Sequence, residues 1–219
     1  MLETDASTQS GAIFSHWNYS AGKRWLDAVC SGVLLFVSSP VLLMVALLVK
    51  CTSRGPVLYS HQRVGKDGAL FGVLKFRTMF ADRQISGPSL TRGGDGRITA
   101  VGRVLRKWKL DELPQLINVM RGEMSLVGPR PDAPKYVHEL TSEQKLVLML
   151  PPGITGAASL EYRDEEAMLS HLTTEERLEE FYCTELLPAK VRLDMDYARR
   201  ANFLTDLVIL IRTLGVIVR

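Results

Sequence analysis

A run of uncharged, mostly apolar residues with a proline inside it constrains this chain more than any other feature. Residues 28–49 contain no charged side chain, and roughly 20 such residues are enough for a helix to cross a membrane. Pro40 lies within the run, and proline kinks or interrupts a helix because it has no amide hydrogen and clashes with the preceding turn. If the helix breaks there, neither residues 28–39 nor residues 41–49 can cross a hydrocarbon core of about 30 Å.

The charges on either side of the run bear on whether it crosses the membrane or turns back. Positive charge stays on the cytoplasmic side, and a single span can place only one basic end there. A helix that enters, bends at Ser39-Pro40 and returns keeps both ends on that side, and the Ser38 and Ser39 hydroxyls could bond to carbonyls of the preceding turn. A kinked span remains the alternative, because proline is tolerated in transmembrane helices. The flanking basic residues are Lys23, Arg24, Lys50 and Arg54.

Composition excludes several other classes of protein. The chain is 46% hydrophobic and 23% charged with a net charge of +3, which is typical of a globular protein and permits, without requiring, contact with anionic lipids or phosphates. Three scattered cysteines predict a reducing compartment, and four scattered histidines make a zinc site improbable. A secretory signal is disfavoured because its apolar core has about 7–15 residues and ends at a small-residue cleavage site.

Downstream of the apolar run, the sequence predicts a β-hairpin and then helices. The turn residues 65–68 separate two β-prone runs in "GPVLYSHQRVGKDGALFGVLKFRTM". Because side chains alternate along a strand, Lys75 and Arg77 are expected on one face; a solvated basic edge would explain them equally well. The last third reads as mostly helical, and its apolar tail could pack in the core or lie in the membrane interface.

Two adjacent carboxylates, Asp111 and Glu112, open the stretch "KLDELPQLINVMRG". Helix capping by Asp111 would explain them without any further role, since acids in a first turn complement the helix dipole. Their basic neighbours suggest more, because guanidinium groups and a helix N-terminus together bind phosphate. The side chains that could converge on this point are Lys75, Arg77, Arg106 and Arg130.

A phosphate-binding site of this kind would keep Asp111 ionised at neutral pH. An ionised carboxylate beside a bound phosphate can attack phosphorus and form an acyl-phosphate. A divalent cation would be needed to screen carboxylate from phosphate, and Mg²⁺, bound through one or two carboxylates and substrate oxygens, suits that task. Asp111 is the predicted metal ligand.

A series of motifs, in order along residues 20–215, resembles the bacterial sugar transferase family, the monotopic phosphoglycosyl transferases. The apolar segment with Ser39-Pro40 comes first, and the others are "QRVG" at 62–65, "KFRTM" at 75–79, "GRVLRK" at 102–107, "LDELPQL" at 110–116, "MSLVGPRP" at 124–131 and "PGITG" at 152–156. The resemblance implies an α+β fold that is mostly helical, with an N-terminal re-entrant membrane helix, a small β-hairpin and amphipathic interfacial helices. It divides the chain into a flexible leader (1–20), the re-entrant helix (21–50) and a catalytic domain facing the cytoplasm (51–219).

The resemblance also implies an enzyme that transfers a phospho-sugar from a UDP-sugar to polyprenyl (undecaprenyl) phosphate in the cytoplasmic leaflet of the bacterial inner membrane. The reaction would release UMP and begin a surface glycan. Asp111 matches the nucleophile that forms the covalent phospho-sugar intermediate, and Glu112 matches its partner, acting as a base or through Mg²⁺. The matching phosphate-binding residues are Arg106 and Arg130, with Lys75 as a basic residue near the site, and Ser39-Pro40 match the break in the membrane helix.

Some positions depart from the family pattern and leave alternatives open. Pro151 stands where members often have Arg, "GITGAASLEYR" replaces the more usual "GITGWAQ", and Lys109 replaces a common Ser. A membrane-docked scaffold that has lost turnover is therefore one alternative, although the carboxylate pair argues against it. A nucleic-acid binder using basic residues 97–109 is another, but the apolar anchor and the lack of a recognised binding motif argue against a nucleic-acid partner. The sequence leaves the oligomeric state open, a homodimer included.

Overall fold

The computed structural model describes residues 13–80, 95–172 and 174–217, and within them the fold is α+β and mostly helical, as predicted. The α-helices are α1 (Ala21–Thr52), α2 (Ala100–Lys107), α3 (Gln115–Arg121), α4 (Pro134–His138), α5 (Ala157–Glu161), α6 (Glu165–Leu169), α7 (Glu175–Phe181), α8 (Leu187–Arg200) and α9 (Phe203–Ile217). The strands are β1 (Leu58–Val64), β2 (Leu70–Phe76), β3 (Ser125–Val127) and β4 (Gly153–Thr155). Short 3-10 turns cover His16–Tyr19, Lys66–Gly68, Leu110–Glu112 and Gln144–Met149, and a π-helical turn covers Tyr182–Leu186.

The predicted hairpin is confirmed. Strands β1 and β2 pair antiparallel, with Tyr59 opposite Lys75, and the connection uses left-handed backbone at Asp67 (φ 57°) and Gly68 (φ 79°). Strands β3 and β4 form a second, parallel pair. The main core lies between these short strands and helices α3 and α8 and includes Val119, Val127 and Leu187.

The apolar run forms α1, a single 32-residue helix that continues through Pro40. The predicted break at Ser39-Pro40 is therefore wrong as an interruption of the helix. Proline removes the amide that would bond to the Phe36 carbonyl, and in its place the Ser39 hydroxyl donates to that carbonyl at 2.8 Å. The Ser38 hydroxyl donates to the Leu34 carbonyl at 2.6 Å. The helix continues because a side chain supplies the missing donor.

Both ends of α1 are attached to the same folded body. Near its start, Arg24 donates to the carbonyls of Val119 and Met120 at the end of α3, at 2.6 and 2.9 Å. Near its end, Val45 and Val49 are buried in a second cluster of apolar residues that also contains Phe76 and Leu105.

The middle of α1 is largely exposed. Phe36 is 82% accessible and Val37 is 69% accessible. Among the described residues, α1 is the one helix long and apolar enough to cross a membrane by length and composition. An apolar helix exposed at its centre and attached at both ends to one body is compatible with re-entry, which stays a proposal.

The flexible leader predicted for residues 1–20 stays a prediction for residues 1–12, which lie outside the described residues. The following residues are packed instead. Phe14 is buried in the main core, the Ser15 hydroxyl donates to the Ala201 carbonyl at 2.6 Å, and Asn18 donates to the Ala198 carbonyl at 2.8 Å. This segment is thus tied to the end of α8. Residues 81–99 are rich in Gly, Ser and charged side chains, which favours a mobile loop, and they lie largely outside the described residues.

A buried ionic cluster joins the start of α1 to α9. Asp206 accepts hydrogen bonds from the Lys23 ammonium and the Tyr197 hydroxyl, and from the Trp17 indole at 2.9 Å. Both Lys23 and Asp206 are buried. On its other side α9 leaves apolar side chains exposed, among them Leu204, Ile211 and Leu214, which is the pattern an interfacial helix needs.

Replacing Ser39 by Ala should destabilise the protein by about 1–3 kcal/mol, because the Phe36 carbonyl would lose its donor. The measurement is thermal unfolding of purified protein in detergent. The double variant Ser39→Ala/Pro40→Ala should recover the loss, since an alanine at 40 restores the backbone amide. Ser38→Ala is the control, because in a helix the backbone amide of residue 38 already bonds to the Leu34 carbonyl. Equal stability of Ser39→Ala and wild type would contradict this account.

Replacing Asp206 by Asn should cost about 3–5 kcal/mol of stability, because it breaks the buried ion pair with the Lys23 ammonium. Urea or thermal unfolding in detergent would measure the change. Asp67→Asn is the matched control, since Asp67 is exposed and lies 4.0 Å from Lys66, and such surface pairs contribute about 0–1 kcal/mol. Similar losses in the two variants would show that the buried pair has no special role.

Candidate active site

Asp111 and Glu112 lie on a 3-10 turn between two helices. The chain leaves α2, takes a left-handed conformation at Lys109 (φ 52°), and forms the turn Leu110–Glu112 before α3 begins. Asp111 was expected to cap a helix, but Lys109 and Pro114 occupy the two N-cap positions and neither makes a side-chain capping bond. The carboxylate of Asp111 is therefore not explained by helix capping.

Close packing of two neighbouring segments places this turn beside β2. Asn118 in α3 is fully buried; its side chain accepts from the Leu74 amide at 3.0 Å and donates to the Gly72 carbonyl at 2.9 Å. Helix α2 contacts the residues after β2 so closely that a Cβ at Gly102 would lie 2.1 Å from the Thr78 carbonyl oxygen. The turn is thus held between α2, α3 and the end of the hairpin.

The two carboxylates differ in their partners. Glu112 is 9% exposed and bridges two cations: its Oε1 accepts from Lys75 Nζ at 2.7 Å and from Arg130 Nη2 at 2.6 Å. Asp111 is 6% exposed, and its Oδ1 is buried with no hydrogen-bond partner among the described residues. One acid is fully paired and its neighbour has an unsatisfied oxygen.

This difference sets the pKa values of the pair in opposite directions. Burial and the negative charge of Glu112 raise the pKa of Asp111, although Lys75, Arg106 and Lys109 oppose that shift. Burial alone would raise the pKa of Glu112 as well, but Arg130 and Lys75 outweigh it and hold that pKa well below the usual range. The surroundings of Asp111 are therefore not uniformly positive, because burial and its acidic neighbour oppose the three cations. The prediction that Asp111 is ionised at neutral pH stays a prediction.

The four predicted basic residues do not all meet at the carboxylates. Lys75 and Arg130 both bind the Glu112 carboxylate. Arg106 acts on Asp111 through its charge, while its guanidinium donates to Thr78 Oγ1 and to Glu166 Oε1, both at 3.0 Å. Arg77 instead donates to the carbonyl and hydroxyl of Ser53, at 2.7 and 2.8 Å.

Arg77 therefore binds the residue that caps the end of α1 and not the carboxylate pair. Its Nε and Nη1 are buried without partners in the described part of the chain. Lys75 and Arg77 were predicted to share one face of a strand, but β2 ends at Phe76 and the two side chains bind different segments. A role of Arg77 in substrate binding stays a prediction.

The residues present fit a Mg²⁺ site only through Asp111. No cluster of three or more His, Cys, Asp or Glu occurs in the part of the chain that the structure describes, and the oxygens of Glu112 already face cations. The unsatisfied Oδ1 of Asp111 is a free hard-oxygen ligand. Magnesium commonly binds proteins through one or two carboxylates and completes its shell with substrate oxygens and water, so this donor set is sufficient.

A second group of buried polar residues adjoins Arg130 and was not predicted from the sequence. Lys190 is 5% exposed and pairs with Glu165 at 3.0 Å. Asp194, one helical turn further along α8, accepts from the Ala158 amide at 3.0 Å. Arg130, Lys190 and Asp194 line one cavity together with Pro129 and Val191. The available signal was a lysine and an aspartate four residues apart on an otherwise core-facing side of a helix.

Comparison with known proteins identifies the family. A family model described as bacterial sugar transferase matches residues 18–219, and the chain therefore belongs to that family. It is 37% identical over 194 residues to a UDP-glucose:undecaprenyl-phosphate glucose-1-phosphate transferase of Caulobacter vibrioides, covering 87% of this chain and 67% of the relative. It is 36% identical over 207 residues to the exopolysaccharide production protein ExoY of Sinorhizobium fredii, covering 88% and 83%.

Other relatives are much longer than this chain. An undecaprenyl-phosphate glucose phosphotransferase of Komagataeibacter xylinus is 39% identical over 199 residues, which are 88% of this chain but 35% of the relative. The chain thus spans about a third of the length of several curated relatives that it matches.

The stability of the protein should depend on pH through Asp194. Burial raises the pKa of this carboxyl from its usual value to about 7, against the opposing effects of the Ala158 amide and Lys190. Below pH about 4 this carboxyl is protonated in both the folded and the unfolded protein, so the folded state keeps its full stability. As the pH rises towards 7 the carboxyl ionises in the unfolded state first, and up to about 4 kcal/mol of that stability is lost. Asp194→Asn should therefore gain stability relative to wild type between pH 4.5 and 8, measured by thermal unfolding in detergent. A difference that is constant with pH would contradict the prediction.

Proposed function

We propose that this protein transfers a phospho-sugar from a UDP-sugar to undecaprenyl phosphate or a similar polyprenyl phosphate, releases UMP, and so begins a surface glycan or exopolysaccharide. The observation that carries the proposal is the unequal carboxylate pair, in which Lys75 and Arg130 bind Glu112 and leave an oxygen of Asp111 free. The names of the relatives in Caulobacter vibrioides and Sinorhizobium fredii support the same donor, acceptor and product class.

In the first half of the reaction, Asp111 acts as the nucleophile. Its carboxylate oxygen attacks the phosphorus that carries the sugar, an acyl-phosphate bond forms, and the bond from that phosphorus to the oxygen bridging the two phosphates breaks. UMP leaves with that oxygen and its electron pair. Nucleophilic catalysis of this type divides one transfer into two and lets donor and acceptor use one site in turn.

In the second half, an oxygen of the lipid phosphate attacks the same phosphorus. The bond to Asp111 breaks, the carboxylate is regenerated, and the product is a polyprenyl diphosphosugar. Mg²⁺ held by Asp111 and the substrate would screen the negative charges of carboxylate and phosphate from one another. Arg106 is close enough to act on Asp111 electrostatically, and it is the candidate to stabilise charge on the transferring phosphoryl group.

Glu112 is better suited to positioning than to proton transfer. Its contacts with Arg130 and Lys75 hold its pKa well below the usual range, although burial opposes that shift. A carboxylate with so low a pKa is a weak base, and a phosphate monoester at neutral pH has little need of one. We infer that Glu112 fixes Lys75 and Arg130 beside the reacting phosphates.

The same proposal places the protein on the cytoplasmic face of the bacterial inner membrane. Helix α1 is exposed at its centre and attached to the body at both ends, which supports a re-entrant anchor over a span. Lys23, Arg24 and Lys50 then all remain on the cytoplasmic side. The exposed apolar side of α9 would lie in the headgroup region. This arrangement brings a soluble nucleotide sugar and a membrane-bound phosphate to one boundary.

Incubation of the purified protein in detergent with Mg²⁺, undecaprenyl phosphate and a panel of UDP-sugars should release UMP with at least one donor. Asp111→Asn should reduce the rate by at least about 10³-fold, because an amide cannot form the acyl-phosphate, while the thermal unfolding temperature shows that the variant is folded. Asp196→Asn, a change in an exposed carboxylate of α8 paired with Arg199, is the control and should keep full activity. UDP as the product would contradict the mechanism.

A further inference from the structure

We propose that Lys109 binds a phosphate group of the substrate directly beside Asp111. The inference rests on the function proposed above and adds a binding residue outside the predicted phosphate-binding set. It assigns the ammonium of Lys109 to the diphosphate of the nucleotide sugar or to the phosphate of the lipid, which present the same chemistry. Three independent observations carry it: the pairing of the other cations, the exposure of Lys109, and its backbone conformation.

The pairing of the cations around Asp111 singles out Lys109. The basic side chains that act electrostatically on Asp111 are Lys75, Arg106 and Lys109. Lys75 is bound to Glu112 at 2.7 Å and Arg106 to Glu166 at 3.0 Å. Lys109 makes no ion pair within residues 13–80, 95–172 and 174–217. A phosphate can therefore bind Lys109 without displacing a carboxylate, whereas at the other two it must compete with one.

The solvent exposure of Lys109 supports the same assignment. Lys109 is exposed, while Asp111 and Glu112 at the other end of the same short segment are buried. Lys75 and Arg130 are themselves partly covered and turned towards Glu112. Lys109 is thus an exposed cation, open to a ligand from solvent, two residues from the buried Asp111.

The backbone of Lys109 is held in a conformation that does not favour lysine. Its φ is 52°, in the left-handed region, which costs a residue with a Cβ more than it costs glycine. Its amide donates to the Arg106 carbonyl at 3.1 Å, and its carbonyl accepts from the Glu112 amide at 3.2 Å. These bonds hold the junction between α2 and the catalytic turn in this conformation, and they fix where the side chain begins. Backbone strain of this kind is concentrated at functional sites.

The effect of the Lys109 backbone conformation and the effect of its side-chain charge can be tested separately. Lys109→Gly should raise the thermal unfolding temperature, because glycine suits the left-handed conformation, and should nevertheless weaken substrate binding. Lys109→Met removes the charge while keeping most of the side-chain length, and Lys109→Arg keeps the charge. Lys107→Met is the matched control, since Lys107 is exposed, lies two residues away and has its ammonium 5.8 Å from the centre of the Trp108 ring.

Binding of UDP and of uridine, measured by calorimetry in detergent with Mg²⁺, gives the first comparison. Loss of a charge-assisted phosphate contact should weaken UDP binding about ten- to hundredfold in Lys109→Met, and it should leave uridine binding unchanged. Lys109→Arg should stay within a few-fold of wild type. The KM values for the UDP-sugar and for undecaprenyl phosphate, measured separately, identify which substrate supplies the phosphate.

The outcomes separate this inference from the function on which it rests. A raised KM for the UDP-sugar with weaker UDP binding assigns Lys109 to the donor, and a raised KM for the lipid alone assigns it to the acceptor. An active Lys109→Met enzyme with unchanged UDP binding and unchanged KM values overturns the inference and leaves the proposed function intact. Equal losses in Lys107→Met also overturn it, because they would reflect the general positive field. Wild-type protein that releases no UMP with any donor rejects the proposed function. Binding of UDP and of undecaprenyl phosphate to wild type and to Lys109→Met then still tests Lys109, and unchanged binding of both overturns the inference.

Discussion

Lys75, Glu112 and Arg130 come from three separate parts of the chain, and the ion pairs between them hold the candidate site together. Glu112 is buried and the two cations are half-buried. A buried carboxylate without a partner would cost several kcal/mol, so Glu112 constrains the positions of both cations. Lys75 brings the end of the hairpin, and Arg130 brings the segment that follows β3. Because both cations bind Glu112, its neighbour Asp111 is left buried with an unsatisfied oxygen. The pairing of one acid thus determines the chemistry available to the other.

A second set of buried charges attaches this site to α1. Lys23 and Asp206 join the start of α1 to α9, and Asp27 accepts from the hydroxyl of Ser125 at 2.7 Å and from the Leu126 amide at 3.1 Å in β3. Two residues beyond β3 the chain reaches the segment that carries Arg130. The apolar helix α1 is therefore connected through a few short steps to the turn that carries Asp111 and Glu112, which fixes the position of that turn relative to α1.

The sequence predicted the parts of this structure that depend on local pattern. The hairpin follows from its turn residues, and the helical character of α1 follows from its uncharged, apolar run, although a break at Pro40 was expected within it. Long-range polar contacts were harder to predict, because a side chain's partner is not a local property. Pro40 was expected to break α1, but the Ser39 hydroxyl replaces the missing donor. Arg77 was grouped with Lys75 by strand periodicity, yet it binds Ser53 at the far end of α1.

The unequal pair of carboxylates also explains how a buried nucleophile can await its substrate. If Lys75 and Arg130 were bound to Asp111, an incoming phosphate would have to displace them before the carboxylate could attack. Because Glu112 holds them, Asp111 keeps a free oxygen, at the expense of a raised pKa that burial and its acidic neighbour impose.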